Sequence, residues 1–187
     1  MTTGQIIILI VVLVVIAGVA VLLFMRNRTK KLRVRFGTEY DRAVLESGSR
    51  LRAEAELERL AKRVEKYPIR PLSSAERDRF QQEWRSIQAR FVDDPRGAFA
   101  QADQLLIEAM SARGYPMANF EQRAAEISVD HGSVVEHYRI GHNFAMRQEQ
   151  NQATTEELRQ GMIHYRALFE EIVGEPERLS SRAAGAN

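Results

Sequence analysis

Near the start of the chain, Ile6 to Met25 runs for twenty residues without one charged or polar side chain, and Arg26-Asn27-Arg28-Thr29-Lys30-Lys31-Leu32-Arg33-Val34-Arg35 follows at once. No other feature narrows the available folds so far. At 1.5 Å of rise per residue such a run covers about 30 Å, the thickness of a hydrocarbon layer. Lipid offers the backbone no partner, so a helix is the form that satisfies its own N–H and C=O groups. The reading is a transmembrane helix at 6–25, preceded by a short tail at 1–5 and followed by a basic juxtamembrane collar at 26–36.

A cleaved signal sequence fits less well. It should open with positive charge, carry a shorter apolar core and end at a small-residue cleavage site. Here residues 1–5 hold no charged side chain, and Ala17-Gly18-Val19-Ala20 is followed by five more apolar residues. The flanks predict orientation. Six cations, Arg26, Arg28, Lys30, Lys31, Arg33 and Arg35, lie on one side of the run and none on the other. Basic flanks stay on the cytoplasmic side, which predicts a cell-membrane protein with its N-terminus outside and the rest of the chain in the cytoplasm. The alternative puts the domain on the outer side. The same six residues are positioned to attract anionic headgroups, each worth about 1 kcal/mol near a charged surface.

The anchor also explains the overall charge. The whole chain has net charge +2, from 27 basic and 25 acidic residues. The first acidic residue is Glu39, so everything beyond Phe36 carries 21 basic against 25 acidic residues, about −4. A mildly acidic domain argues against nucleic acid as a partner. The chain has no cysteine, which removes disulfides, thiolate metal sites and cysteine nucleophiles.

Residues 37–173 are long enough for one domain with a real core. Their apolar residues recur at helical spacing throughout, and no useful stretch alternates with period two. The expected fold is all-α: the transmembrane helix and then a bundle of five or six helices. The first bundle helix is expected from about Glu39 to Lys66, with Thr38 and Asp41 as its capping pair and a weak point at Ser47-Gly48-Ser49. It could stand partly proud as a stalk. Pro68 and Pro71 stop it. Ser73 with Glu76 caps the next helix, whose seam is Phe80, Trp84, Ile87 and Phe91. Asp94-Pro95 starts another, and Arg113-Gly114-Tyr115-Pro116 ends it. Shorter helices follow from Asn119 to about Val129 and from Ser133 to about Gln148; Thr154 with Glu157 caps the last, to about Val173. The polar remainder, 174–187, is expected to be disordered.

Motifs with chemistry are scarce. The chain has no glycine-rich phosphate loop, no G-x-S-x-G elbow and no H-E-x-x-H pair, and none of its four histidines has Glu three residues before it. The densest polar set is Asp130, His131, Glu136, His137, Arg139 and His142, with His164 a further candidate from another helix. For catalysis or metal binding, these side chains would have to converge in one pocket. If they do not, they are core-edge, capping and solvated residues. No cofactor is expected.

At Phe36-Gly37-Thr38-Glu39-Tyr40-Asp41-Arg42-Ala43-Val44, Phe91-Val92-Asp93-Asp94-Pro95, Arg113-Gly114-Tyr115-Pro116, Ser128-Val129-Asp130-His131 and Val135-Glu136-His137-Tyr138-Arg139 the chain resembles an uncharacterised family of bacterial membrane-anchored or secreted helical proteins. The resemblance implies a bacterial source and transfers no activity or site. The functional expectation is a tethered protein-interaction or scaffold module, with a protein partner or self-association. The alternatives are an enzyme or metal site around Asp130–His142, and a bundle that takes an apolar ligand or lipid between Trp84, Phe91 and their neighbours.

Overall fold

A computed structural model describes residues 3–116 and 119–174, the side chains of residues 3 and 5–11 excepted. Its elements are α1 (Thr3–Phe36), α2 (Thr38–Ser47), α3 (Arg50–Val64), α4 (Ser74–Arg90), α5 (Pro95–Ala112), α6 (Phe120–His131), α7 (Val135–Glu149) and α8 (Thr155–Gly174). No strand occurs among the described residues. The protein is all-α, with one apolar N-terminal helix followed by a helical bundle, as the patterning predicts. The expected disordered segment after Gly174 lies outside the described residues.

α1 is a single helix of 34 residues. It runs through the apolar stretch and the whole basic collar without a break. Part of it is long and apolar enough to cross a membrane. From Val12 to Phe24 its large side chains are exposed, because nothing in the bundle covers them. Its last turns behave differently. Leu32 and Phe36, one turn apart, are buried at 7% and 0% exposure. They join Tyr40, Leu57, Ala61, Val64 and Val129 in a small core of their own. The C-terminal end of α1 is therefore a structural element of the domain.

The turn at the end of α1 depends on two glycines. Gly37 has φ +56°, which a residue with a Cβ adopts reluctantly, and a Cβ there would lie 2.3 Å from the carbonyl oxygen of Gly132. A Cβ on Gly132 would in turn lie 2.4 Å from the carbonyl oxygen of Arg35. The α1–α2 turn is thus pressed, backbone to backbone, on the turn between α6 and α7.

The expected 39–66 helix is two helices. Gly48 takes φ +63° and Ser49 is extended, so the chain reverses where sequence marks only a weak point. α2 and α3 form an antiparallel hairpin packed on α1, and no stalk stands proud. The bundle after α1 accordingly has seven helices among the described residues, where periodicity predicts five or six. The expected Thr38–Asp41 cap is also absent. Gly37 occupies the N-cap without a side-chain bond, and Asp41 accepts a hydrogen bond from Arg33 Nη2 at 2.8 Å. A cation eight residues away competes successfully for the carboxylate.

The other caps form as their residue types dictate. Ser73 Oγ accepts from the Glu76 N–H at 3.2 Å while the Ser73 N–H donates to Glu76 Oε2 at 2.8 Å. Thr154 and Glu157 repeat the arrangement at 3.3 and 2.8 Å. Asp94 Oδ1 accepts from the Gly97 N–H at 2.9 Å, with Pro95 in the first turn of α5. At the other end of α5, the Tyr115 N–H donates to the Met110 carbonyl at 3.1 Å and the Gly114 N–H to that of Ser111 at 2.9 Å, closing the helix.

The main core lies between α4, α5, α6, α7 and α8. Ala98, Ala102 and Ala109 are fully buried on α5, and their small size lets α8 and α4 come close on either side. Phe80, Trp84 and Ile87 are buried along the seam of α4, and Trp84 stacks on Phe169 of α8 at 4.6 Å. α6 is the shared wall: Ala124 and Ile127 face the main core, and Val129 faces the small core around Phe36.

Candidate functional site

The seven residues of the polar set do not converge; they fall into separate groups. His131 is buried, its Nδ1 3.0 Å from Glu171 Oε1 and its Nε2 3.4 Å from Arg113 Nη1. Both contacts are satisfied by a neutral ring with its proton on Nδ1, donating to the carboxylate and accepting from the guanidinium. Arg113 is itself 1% exposed and donates from Nη1 to the Ile172 carbonyl at 3.0 Å. Sequence marks Arg113 only as the end of a helix. It is instead a buried cation bonded to the last turn of α8, where the helix dipole favours it.

Arg139 belongs to another group. It donates to buried Glu39 through Nε at 2.5 Å and Nη2 at 2.9 Å, and to Glu121 through Nη1 at 2.8 Å. Burial works against its charge, and the hydrogen bonds it donates to Glu39 and Glu121 outweigh it, holding its pKa above the ordinary arginine value. The bond to Arg139 is also the main reason the Glu121 carboxyl is held low. Glu39 sits at the start of α2, so this clamp joins α7 to the hairpin that packs on the anchor.

His142 lies flat on Phe120, with centroids 3.6 Å apart, and burial lowers its pKa. His137 and His164 meet across α7 and α8, Nδ1 to Nδ1 at 2.9 Å. One ring must donate and the other accept, so both cannot be protonated while the bond holds. Burial first, and the neighbouring His137 second, lower the pKa of His164. Glu136 is exposed and Asp130 half-buried. No group of three or more His, Asp or Glu side chains that could hold a metal ion occurs among the described residues.

The aromatic seam is mostly filled. Trp84 stacks on Phe169, and Phe99 on Tyr165 at 5.1 Å. Tyr165 donates to Asp103 at 2.5 Å, and burial is the main cause of its raised pKa. Trp84, Phe169 and Val173 are themselves buried, and a surface groove runs along the edge of the seam. A groove of 350 Å³ runs between α4 and α8 over Trp84, Phe169 and Val173, with Arg85 and Arg166 among its rim residues. A further depression of 150 Å³ continues it past Phe91, Met162 and Ile163 to Arg159, sharing Gln88 and Arg166. Ile163 is 49% exposed. The α4 stripe is core, as its spacing predicts, with Phe80, Trp84 and Ile87 buried and Phe91 packed against them; the sequence signal for the groove is the arginines beside it.

The collar divides in two. Arg28 bonds Glu58 at 2.6 Å, Arg33 bonds Asp41, and Arg35 donates to the Val129 carbonyl at 3.1 Å with Glu65 at 3.6 Å. These three tie the anchor to α2, α3 and α6. Arg26, Lys30 and Lys31 are exposed. A groove of 570 Å³ beside Phe24, Arg28, Lys31, Leu32 and Arg35 marks where the anchor emerges from the domain.

No family model, no curated protein and no solved structure matches the chain. What the protein does has to be argued from its own geometry.

Proposed function

We propose that the chain is a single-pass protein of a bacterial cell membrane, with its N-terminus outside and its bundle held against the cytoplasmic leaflet, where the domain is a tethered interaction module. Apolar length and unburied side chains on α1 support the span, and the one-sided collar supports the orientation. Arg26, Lys30 and Lys31 face outward at the level of the headgroups, where they attract anionic lipid.

The observation that carries the module reading is the α4–α8 groove. It runs over the buried edge of Trp84, Phe169, Val173 and Met162 and the half-buried Phe91, and is flanked by Arg85, Arg159 and Arg166. An amphipathic helix with an apolar face and acidic edges is the occupant whose charge and shape fit it. A photoreactive side chain in place of Gln88, with the full chain in native membranes, tests this. A discrete adduct is expected, and Arg85→Glu with Arg166→Glu should abolish it. Adducts identical to those from a control position at exposed Gln101 on α5 would refute the proposal. An adduct of twice the chain's mass would identify a second copy as the occupant. Protease access to the C-terminal residues in intact cells tests the orientation: protection is expected, and digestion from outside would reverse it.

A further inference from the structure

The α2–α3 hairpin ends in two leucines that the bundle does not use. Leu45 is 83% exposed near the end of α2, and Leu51 is 56% exposed in the first turn of α3. Arg50 and Arg52 are exposed beside them. Leaving two leucines in water forgoes the burial that stabilises most of this fold.

Hydrogen bonds and ion pairs give the height of this turn relative to the anchor. Thr29 donates to Glu54 at 2.7 Å, Arg28 to Glu58 at 2.6 Å, and Arg35 lies 3.6 Å from Glu65. Arg28 and Thr29 meet Glu58 and Glu54, and Arg35, further along α1, meets Glu65 just past the end of α3, so the two helices run parallel. Leu51 is three residues before Glu54, about 4.5 Å nearer the start of α1 at 1.5 Å per residue. That is the level of Arg26. Tyr40 donates to the same Glu54 at 3.0 Å from the antiparallel α2. On that helix Asp41 bonds Arg33 at 2.8 Å, and Leu45, four residues further toward the turn, sits about 6 Å below the level of Arg33, near Thr29. Leu51 therefore lies at the edge of the apolar run, which ends at Met25, and Leu45 within about one helical turn of it.

We infer that the tip of this hairpin is a second membrane contact: Leu45 and Leu51 enter the boundary between headgroups and acyl chains of the leaflet that α1 crosses, and Arg50 and Arg52 meet its phosphates. The partner is the anionic bilayer itself. Leucines at the lipid boundary with arginines beside them are the composition of an interfacial anchor. One transmembrane helix alone leaves a domain free to tilt and to turn about its axis. A second contact removes that freedom and fixes which face of the bundle looks along the membrane. The inference rests on α1 spanning the membrane.

The chain has no cysteine, so single labelling sites are available without background. Full-length Leu45→Cys, Leu51→Cys, Lys62→Cys and Val19→Cys variants would each carry an environment-sensitive dye. They would be reconstituted in vesicles of phosphatidylcholine and phosphatidylglycerol containing lipids spin-labelled at a shallow or a deep acyl position. Lys62 is exposed on the same helix as Leu51, about 16 Å further from the membrane. Shallow-label quenching severalfold stronger at Leu45 and Leu51 than at Lys62 is the expected result. Quenching at Leu45 and Leu51 no stronger than at Lys62, with Val19 quenched by the deep label, overturns the hairpin contact and leaves the anchor standing. Absence of deep quenching at Val19 overturns the anchor itself, and the hairpin contact with it.

Discussion

Replacing Phe36 with Ala tests whether the anchor is part of the domain. The ring is fully buried among Leu32, Tyr40, Leu57, Ala61, Val64 and Val129. Removing a buried phenylalanine ring costs about 3–5 kcal/mol, toward the upper end where the walls cannot collapse. Here they are held apart by the Gly37–Gly132 backbone contact and by the Arg139–Glu39 clamp. The small core has only seven buried members, so it has little else to hold it together. Against a typical domain stability of about 5–15 kcal/mol, the loss is large enough to open α2 and α3 locally while the main core survives. Hydrogen exchange of the full chain in nanodiscs is the assay. Amides of α2, α3 and the last turns of α1 should exchange faster by a factor of about a hundred or more, since 1.4 kcal/mol is a factor of ten. Those of α5 and α8 should change little. Unchanged protection in α2 and α3 would mean that Phe36 does not hold the anchor to the domain, and the reasoning would be refuted.

Other perturbations read different joints of the same assembly. Gly132→Ala drives a methyl against the Arg35 carbonyl, and should destabilise the hairpin by about 1–3 kcal/mol as an overpacking change; thermal unfolding in detergent would show it. Arg139→Met leaves Glu39 buried without its cation and should cost about 3 kcal/mol, most of which the further change Glu39→Gln should recover in a double-mutant cycle. Acid should weaken the fold in two windows. His142 and His164 have pKa values lowered below 6.5, so the unfolded chain binds protons first and stability falls as pH drops below about 6.5. Glu121 and Glu157, held low by Arg139 and by the Thr154 backbone respectively, contribute stability that is present above 4.5 and lost as pH falls through their folded values. Denaturation midpoints across pH should therefore show the upper step disappear in a His142→Gln, His164→Gln variant while the lower one remains.

What sequence reveals of this protein is local, and what it hides is pairing. Ser73, Asp94, Asn119 and Thr154 each bond the N–H three residues on, so these helix starts are set within one turn and can be read directly. Gly48 reads as a weak point because glycine tolerates many conformations; that it reverses the chain depends on Tyr40 reaching Glu54 across the turn. Thr38 and Asp41 look like a cap, but the competing cation comes from α1. The polar set around His131 suggests one site because its members are close in sequence. Their partners are Glu171 and His164 on α8, Glu39 on α2 and Phe120 on α6, three different helices, and those partners pull the set apart. The α4–α8 groove is hidden for a related reason, since spacing identifies the buried seam but not the shape of the surface beside it. Arg113 gives no warning of its burial, because the carbonyl it bonds lies 59 positions away.

The central claim is that α1, proposed to span the membrane, and the bundle are one rigid body. Spin labels at Val19→Cys in the apolar run and Lys62→Cys on α3, in the full chain in nanodiscs, test it by pulsed electron paramagnetic resonance. Continuous helix from Val19 to Phe36 with α3 packed parallel gives a single narrow distance distribution near 25–30 Å, at about 1.5 Å of rise per residue. A broad distribution, or several separate distances, would mean that the chain bends between anchor and domain, and would contradict the account.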